Sequence, residues 1–247
     1  MPLLVALASP RPPGSRALRC FLLGLVTGLV YFAGTLYWVG AVMRIYGGLS
    51  WVVAIAVAIT LVAYLALYPA VFALVCGRLL GTFGPAAILL SPAVWVATEL
   101  GRTHLFTGFP WVLLGYSQAR VLQIAQLASL FGIFGLSALV AIVNAALAYL
   151  LYARSLRSRC LTAAVAVGCV VAASVWGTLR VNDGRLVRAG APLRVGIVQG
   201  NVPQDEKWDA SRALAIFQHH LQLTREATAR GARFIVWPES STPFLFE

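Results

Sequence analysis

Glu239 is the residue whose type and position most plainly suggest chemistry. It follows Phe234-Ile-Val-Trp-Pro238, an apolar run closed by a proline, so its carboxylate stands just past the end of a predicted strand. The carboxyl ends of strands are where α/β sheets gather ligands and reacting groups, and a carboxylate held there can accept a proton as a general base. A solvated loop acid would have the same local sequence. Upstream, Lys207-Trp208-Asp209 sets a cation, an indole and an acid in consecutive positions. Glu99 is the one acid in residues 1–182, and Arg102 follows it by three positions. An ionisable residue in an apolar segment is a functional candidate, whereas an i,i+3 pair that neutralises both charges accounts for the two residues equally well. Phe106, Phe109, Trp111 and Tyr116 follow, with Pro110 among them, as an interfacial aromatic belt that a lipid substrate could touch.

Other groupings are weaker. His219 and His220, flanked by Gln218 and Gln222, read as the solvated face of a helix. Pairing them with Ser240 or Ser241 as a serine hydrolase lacks the glycine-framed turn that exposes such a nucleophile. Cys20, Cys76, Cys160 and Cys169 lie in or beside apolar segments without metal-type spacing, and read as small buried hydrophobes.

The elements that must hold Glu239 are legible nearby. Leu193-Arg-Val-Gly-Ile-Val-Gln199 is rich in β-branched residues and stops at Gly200-Asn-Val-Pro203, which predicts a buried strand. From Asp209, a candidate N-cap, Leu214, Phe217, Leu221 and Ala227 keep helical spacing until Gly231. Arg233–Trp237 is a second strand. Strand, helix, strand predicts a βαβ unit with parallel neighbouring strands. About 55 residues lie near the lower limit for an independent core, so this part is expected to be incomplete and the chain a fragment.

Everything before it is of another kind. Of the 247 residues 60% are hydrophobic and 11% charged, which excludes a wholly soluble protein. The net charge of +11 comes mainly from arginines in short loops between apolar runs, so membrane orientation explains it and nucleic-acid binding is not expected. Stretches long enough to span are 20–43, 49–76, 79–98, 135–153 and 160–179, with an interfacial helix at 121–131 divided from the fourth near Gly132 and Gly135. Gly24 and Gly28 form a small-xxx-small helix-packing pair. Arg11, Arg16, Arg19, Arg78, Arg154, Arg157 and Arg159 fall on one side, against Arg44, Arg102 and Arg120 on the other. The first side is therefore cytoplasmic and residues beyond 180 are outside. The expected organisation is a multi-span α-helical membrane bundle, 1–182, followed by an extracytoplasmic α/β part, 183–247.

Val198-Gln-Gly-Asn-Val-Pro-Gln204, Lys207-Trp-Asp209 and Phe234-Ile-Val-Trp-Pro-Glu239, together with Trp95 through Glu99, Thr107-Gly-Phe-Pro-Trp111 and Gly115-Tyr-Ser-Gln118, resemble the apolipoprotein N-acyltransferase family in the same order. The resemblance runs from about residue 20 to 247 and implies a nitrilase-like (αββα sandwich) domain after the membrane bundle, in a bacterial inner membrane with that domain on the periplasmic side. It implies transfer of an acyl chain from a phospholipid to the α-amine of a diacylglyceryl-cysteine at the start of an apolipoprotein, without cofactor. In its Glu-Lys-Cys triad Glu239 matches the glutamate; the family's lysine and cysteine lie beyond residue 247, so the chain alone is expected to be inactive. Trp208 matches a tryptophan near the mouth of the family's site. Trp208, Trp237, Glu99, Arg102 and Trp111 are the candidate substrate-binding residues. The family usually has two more spans at the front, and Leu3 to Pro13 looks like the tail of the second. A membrane-tethered amidase of the same superfamily and a non-catalytic lipid- or partner-binding module are the alternatives.

Overall fold

The computed structural model describes residues 1–9, 16–184, 189–204, 206–207, 209–239 and 241, in two compact units, Met1–Asp183 and Gly184–Glu247. Trp208 and Ser240 lie outside the described residues.

The first unit is built of helices: α1 (Pro2–Ala8), α2 (Arg16–Leu36), α3 (Val39–Ile45), α4 (Trp51–Phe83), α5 (Ser91–His104), α6 (Leu122–Ala125), α7 (Ala128–Leu150) and α8 (Leu156–Asp183). Short 3-10 turns occupy Gly84–Leu90 and Leu114–Gln118. Among the described residues, four stretches are long and apolar enough to cross a membrane: Arg16–Leu36, Trp51–His104, Ala128–Leu150 and Leu156–Asp183. The expected span 79–98 is not one helix. The chain stays helical through Arg78 to Phe83 and breaks at Gly84-Pro85, where the proline has no N–H to continue the ladder. The span expected at 20–43 likewise divides, between Leu36 and Val39. In α7 the break falls at Gly132, whose φ of 62° is a left-handed conformation that glycine adopts without strain.

Helices α2 and α4 pack closely because the small residues allow it. A β-carbon on Gly24 would lie 2.6 Å from Ala70 Cα, and one on Gly28 would lie 2.7 Å from Ala66 Cα. In lipid, where apolar surface gains nothing by leaving the solvent, such backbone proximity is a main source of helix association. Cys20 and Cys76 are buried in the resulting core with Leu4, Leu7, Phe72 and Leu80, whereas Cys160 is exposed.

In the second unit β1 (Val195–Ile197) pairs in parallel with β2 (Phe234–Val236), Gly196 opposite Ile235. The intervening helix α9 (Ala213–Ala229) packs Ile216, His220 and Ala227 onto one sheet face. It ends as expected at Gly231, with φ of 87° and its N–H donating to Thr228 O at 2.8 Å. Its start differs. Asp209 Oδ1 accepts from the Ser211 N–H (2.9 Å) and hydroxyl (2.7 Å), closing a local turn, and the helix begins four residues later without a side-chain cap. Short acids make such turns in competition with capping. The two Ser211 bonds hold the Asp209 carboxyl below its ordinary range.

Candidate functional site

Because β1 and β2 are parallel, the loops leaving their carboxyl ends emerge at the same edge of the second unit. Glu239 sits there, exposed, two residues past Trp237. The loop after β1 reaches it: Lys207 Nζ donates to the Glu239 main-chain carbonyl at 2.9 Å. Lys207 was legible only as part of a motif, since its role depends on a partner 32 residues away. Asn201, with φ of 49°, turns this loop, and its Oδ1 accepts from Gln199 Nε2 at 2.9 Å.

Trp237 is turned onto α9. Its indole N–H donates to Thr224 Oγ1 at 2.8 Å, and its ring meets Phe217 and His220 at centroid distances of 5.8 and 5.4 Å. It braces the end of β2 and so fixes the departure of the Glu239 loop. His220 corrects the expectation of a solvated face: His219 is exposed, but His220 is 2% exposed, with Nδ1 donating to Ile216 O at 2.8 Å. The imidazole lies against Gly200, where a β-carbon would come within 2.7 Å of Cε1. The helical period alone does not show it, because the strand-end loop folds over that turn of α9. Among the described residues no group of three or more His, Cys, Asp or Glu is gathered as a metal site.

In the first unit, Glu99, Arg102 and Trp111 are brought together around the loop from Leu105 to Leu113. Glu99 is 3% and Arg102 4% exposed. Among the described residues they form no contact ion pair with each other; both bind the loop instead. Arg102 Nη1 donates to Trp111 O (2.7 Å) and Phe109 O (3.3 Å), and Nη2 to Val112 O (3.4 Å). Its guanidinium lies over the Phe32 ring at 5.2 Å. Glu99 Oε1 accepts from the Leu114 N–H at 2.7 Å, and Tyr31 adds a hydroxyl donated to Val112 O at 2.8 Å. The Gly115 N–H is satisfied by Ser137 Oγ at 2.9 Å.

This anchorage offsets strain. Phe106 and Val112 have φ of 57° and 51°, and such positions cost on the order of 1–3 kcal/mol each for residues with a β-carbon. Gly108, with φ of 72°, packs against Thr103 O where a side chain would clash. What the loop presents is aromatic: Phe106 is 89% and Trp111 52% exposed, and Trp111 stacks on Trp38 at 5.3 Å and 22°. Glu99 and Arg102 thus hold the loop from within, and the large side chains it exposes from Phe106 to Trp111 are aromatic.

Residues 1–146 match the apolipoprotein N-acyltransferase N-terminal domain. The chain is 39% identical to the apolipoprotein N-acyltransferase of Geobacter metallireducens, covering 100% of the chain and 46% of that protein. It is 36% identical to that of Methylococcus capsulatus, over 93% of the chain and 44% of the relative. The figures for that of Vibrio cholerae are 30%, 92% and 43%. The chain thus spans a little under half the length of the curated relatives it matches.

Proposed function

From a chain that belongs to the apolipoprotein N-acyltransferase family, we propose a membrane-embedded enzyme that moves an acyl chain from a phospholipid to the α-amine of an N-terminal diacylglyceryl-cysteine on an apolipoprotein. The observation that carries this reading is Glu239 at the carboxyl edge of a parallel strand pair, held through its own carbonyl by Lys207, in a chain that aligns with acyltransferases over nearly its whole length. The relatives' shared name does not favour an amidase.

In the mechanism Glu239 takes the proton of a cysteine thiol supplied from beyond residue 247 in the nitrilase-like domain. The thiolate attacks the ester carbonyl of the phospholipid, the C–O bond breaks and the proton leaves with the lysophospholipid hydroxyl. The acceptor amine then attacks the thioester, forming the amide and returning the thiol. Both half-reactions run from an ester or thioester to product without nucleotide or metal. The aromatic loop at Phe106 and Trp111 meets the lipid, Trp237 stands two residues before the proposed base, and Trp208 is carried over from the family's motif as a substrate-contacting tryptophan.

The membrane unit makes five crossings in this reading. Helix α5 is too short alone, but the preceding 3-10 turn, seven residues, and α5, fourteen residues, together reach about 35 Å, against a hydrocarbon core of about 30 Å. With the arginine-rich loops cytoplasmic, the second unit lies on the periplasmic side of the bacterial inner membrane, where exported lipoproteins are.

The test is Glu239→Gln in the full-length protein, following a labelled acyl chain from phospholipid onto the enzyme. The amide preserves shape and cannot take the thiol proton, so labelling should fall by at least roughly 10²- to 10⁴-fold while membrane insertion is unchanged. Glu226→Gln, on the exposed face of α9, is the control. Near-normal labelling of Glu239→Gln would make Glu239 a structural acid.

A further inference from the structure

We propose that a single buried water molecule bridges the Trp95 indole N–H and the second carboxylate oxygen of Glu99, completing the anchor of the aromatic loop. Glu99 commits one oxygen to the loop, through the Leu114 N–H at 2.7 Å. Its Oε2 is buried without a hydrogen-bond partner among the described residues, and so is Trp95 Nε1. The two residues stand one helical turn apart on α5, so they share a face. Both line one cavity of about 20 Å³, walled also by Tyr31, Tyr68, Thr98 and Arg102.

The two orphaned atoms are chemically complementary. The indole N–H can only donate, and a carboxylate oxygen can only accept. They do not meet directly, and one water satisfies both, accepting from Trp95 and donating to Glu99. Protonating Glu99 would leave the Trp95 donor as it was. Buried waters typically make about three hydrogen bonds, and the third is available: Tyr31 spends its proton on Val112 O and keeps its lone pairs, while the Tyr64 and Tyr68 hydroxyls, 2.8 Å apart, use one of their two protons between them and leave the other. Size selects the ligand, since a water needs roughly 10–15 Å³ of such space and the cavity of about 20 Å³ admits one water and no lipid group. Inside a lipid-facing bundle these groups have no bulk solvent to turn to, which is why the bridge belongs to the folded state. It joins α5 to the tyrosines of α2 and α4 while Glu99 and Arg102 hold the loop.

The experiment uses the full chain in lipid nanodiscs with ¹⁵N-labelled tryptophan, the Trp95 indole resonance being assigned by its loss in Trp95→Phe. The expected result is magnetisation transfer from a long-lived water to the Trp95 Nε1–H. A density map fine enough to show ordered water should place one oxygen within hydrogen-bonding distance of both Trp95 Nε1 and Glu99 Oε2, and this readout needs no variant if Trp95→Phe fails to fold. An indole N–H with no transfer from water, a direct bond from Trp95 to a protein or lipid oxygen, or well-ordered side chains with no water density between them would each overturn the proposal.

Discussion

The ammonium of Lys207 hydrogen-bonds the main-chain carbonyl of Glu239 at 2.9 Å, tying the loop after the first strand to the loop after the second. The contact constrains the backbone of Glu239. Among the described residues it is the bond from the Lys207 side chain to the loop that carries the proposed base, so its removal should loosen that loop and leave the sheet intact.

Lys207→Met in the full-length protein is accordingly expected to slow single-turnover acyl-enzyme formation about tenfold. That is near the low end of the roughly 1.5–3 kcal/mol carried by hydrogen bonds to charged groups, because the loops are open to solvent. Lys207→Arg should recover most of the rate. A Lys207→Met protein acylating at the normal rate would mean that other contacts hold the loop.

Arg102 is expected to be intolerant even of lysine. Its forked guanidinium serves three carbonyls, of Phe109, Trp111 and Val112, and a lysine ammonium cannot reproduce that planar spread. Arg102→Ala removes all three bonds, and hydrogen bonds to charged groups carry about 1.5–3 kcal/mol each. Thermal unfolding in detergent should show a large loss for Arg102→Ala and most of it for Arg102→Lys. Wild-type behaviour of Arg102→Lys would show that a point charge is sufficient.

Gly200 is there for His220. Gly200→Ala would drive a methyl to within 2.7 Å of the imidazole, and overpacking of this kind costs about 1–3 kcal/mol. Hydrogen exchange of the Val195–Ile197 amides should accelerate correspondingly. Because the two residues touch, Gly200→Ala combined with His220→Ala should cost less than the sum of the single changes; strict additivity would refute the clash.

A reporter that works only outside the cytoplasm should be active when fused after Pro192 and silent when fused at Ser158, and a cytoplasmic reporter should show the reverse. Seven loop arginines against three motivate the assignment. The inverted pattern would remove the proposed access to exported lipoproteins.

The features readable from the chain are those written in short-range pattern. Apolar run length announces the membrane helices, Gly24 and Gly28 their close packing, Gly132 the break before the long helix, and the change from β-branched runs to helical spacing the two strands around α9. Each depends on residues a few positions apart, where backbone geometry and periodicity set the outcome. Contacts between distant segments followed no such pattern. Glu99 and Arg102 are spaced to neutralise each other, yet both serve backbone groups 7 to 15 residues away, because the inward-turned carbonyls and N–H groups of a strained loop find their partners in these two buried side chains. His220 is buried by a loop from another element, and Lys207 finds Glu239 only because parallel pairing brings two strand ends to one edge. Periodicity chooses the elements; which polar groups meet is settled when packing removes the alternative of water.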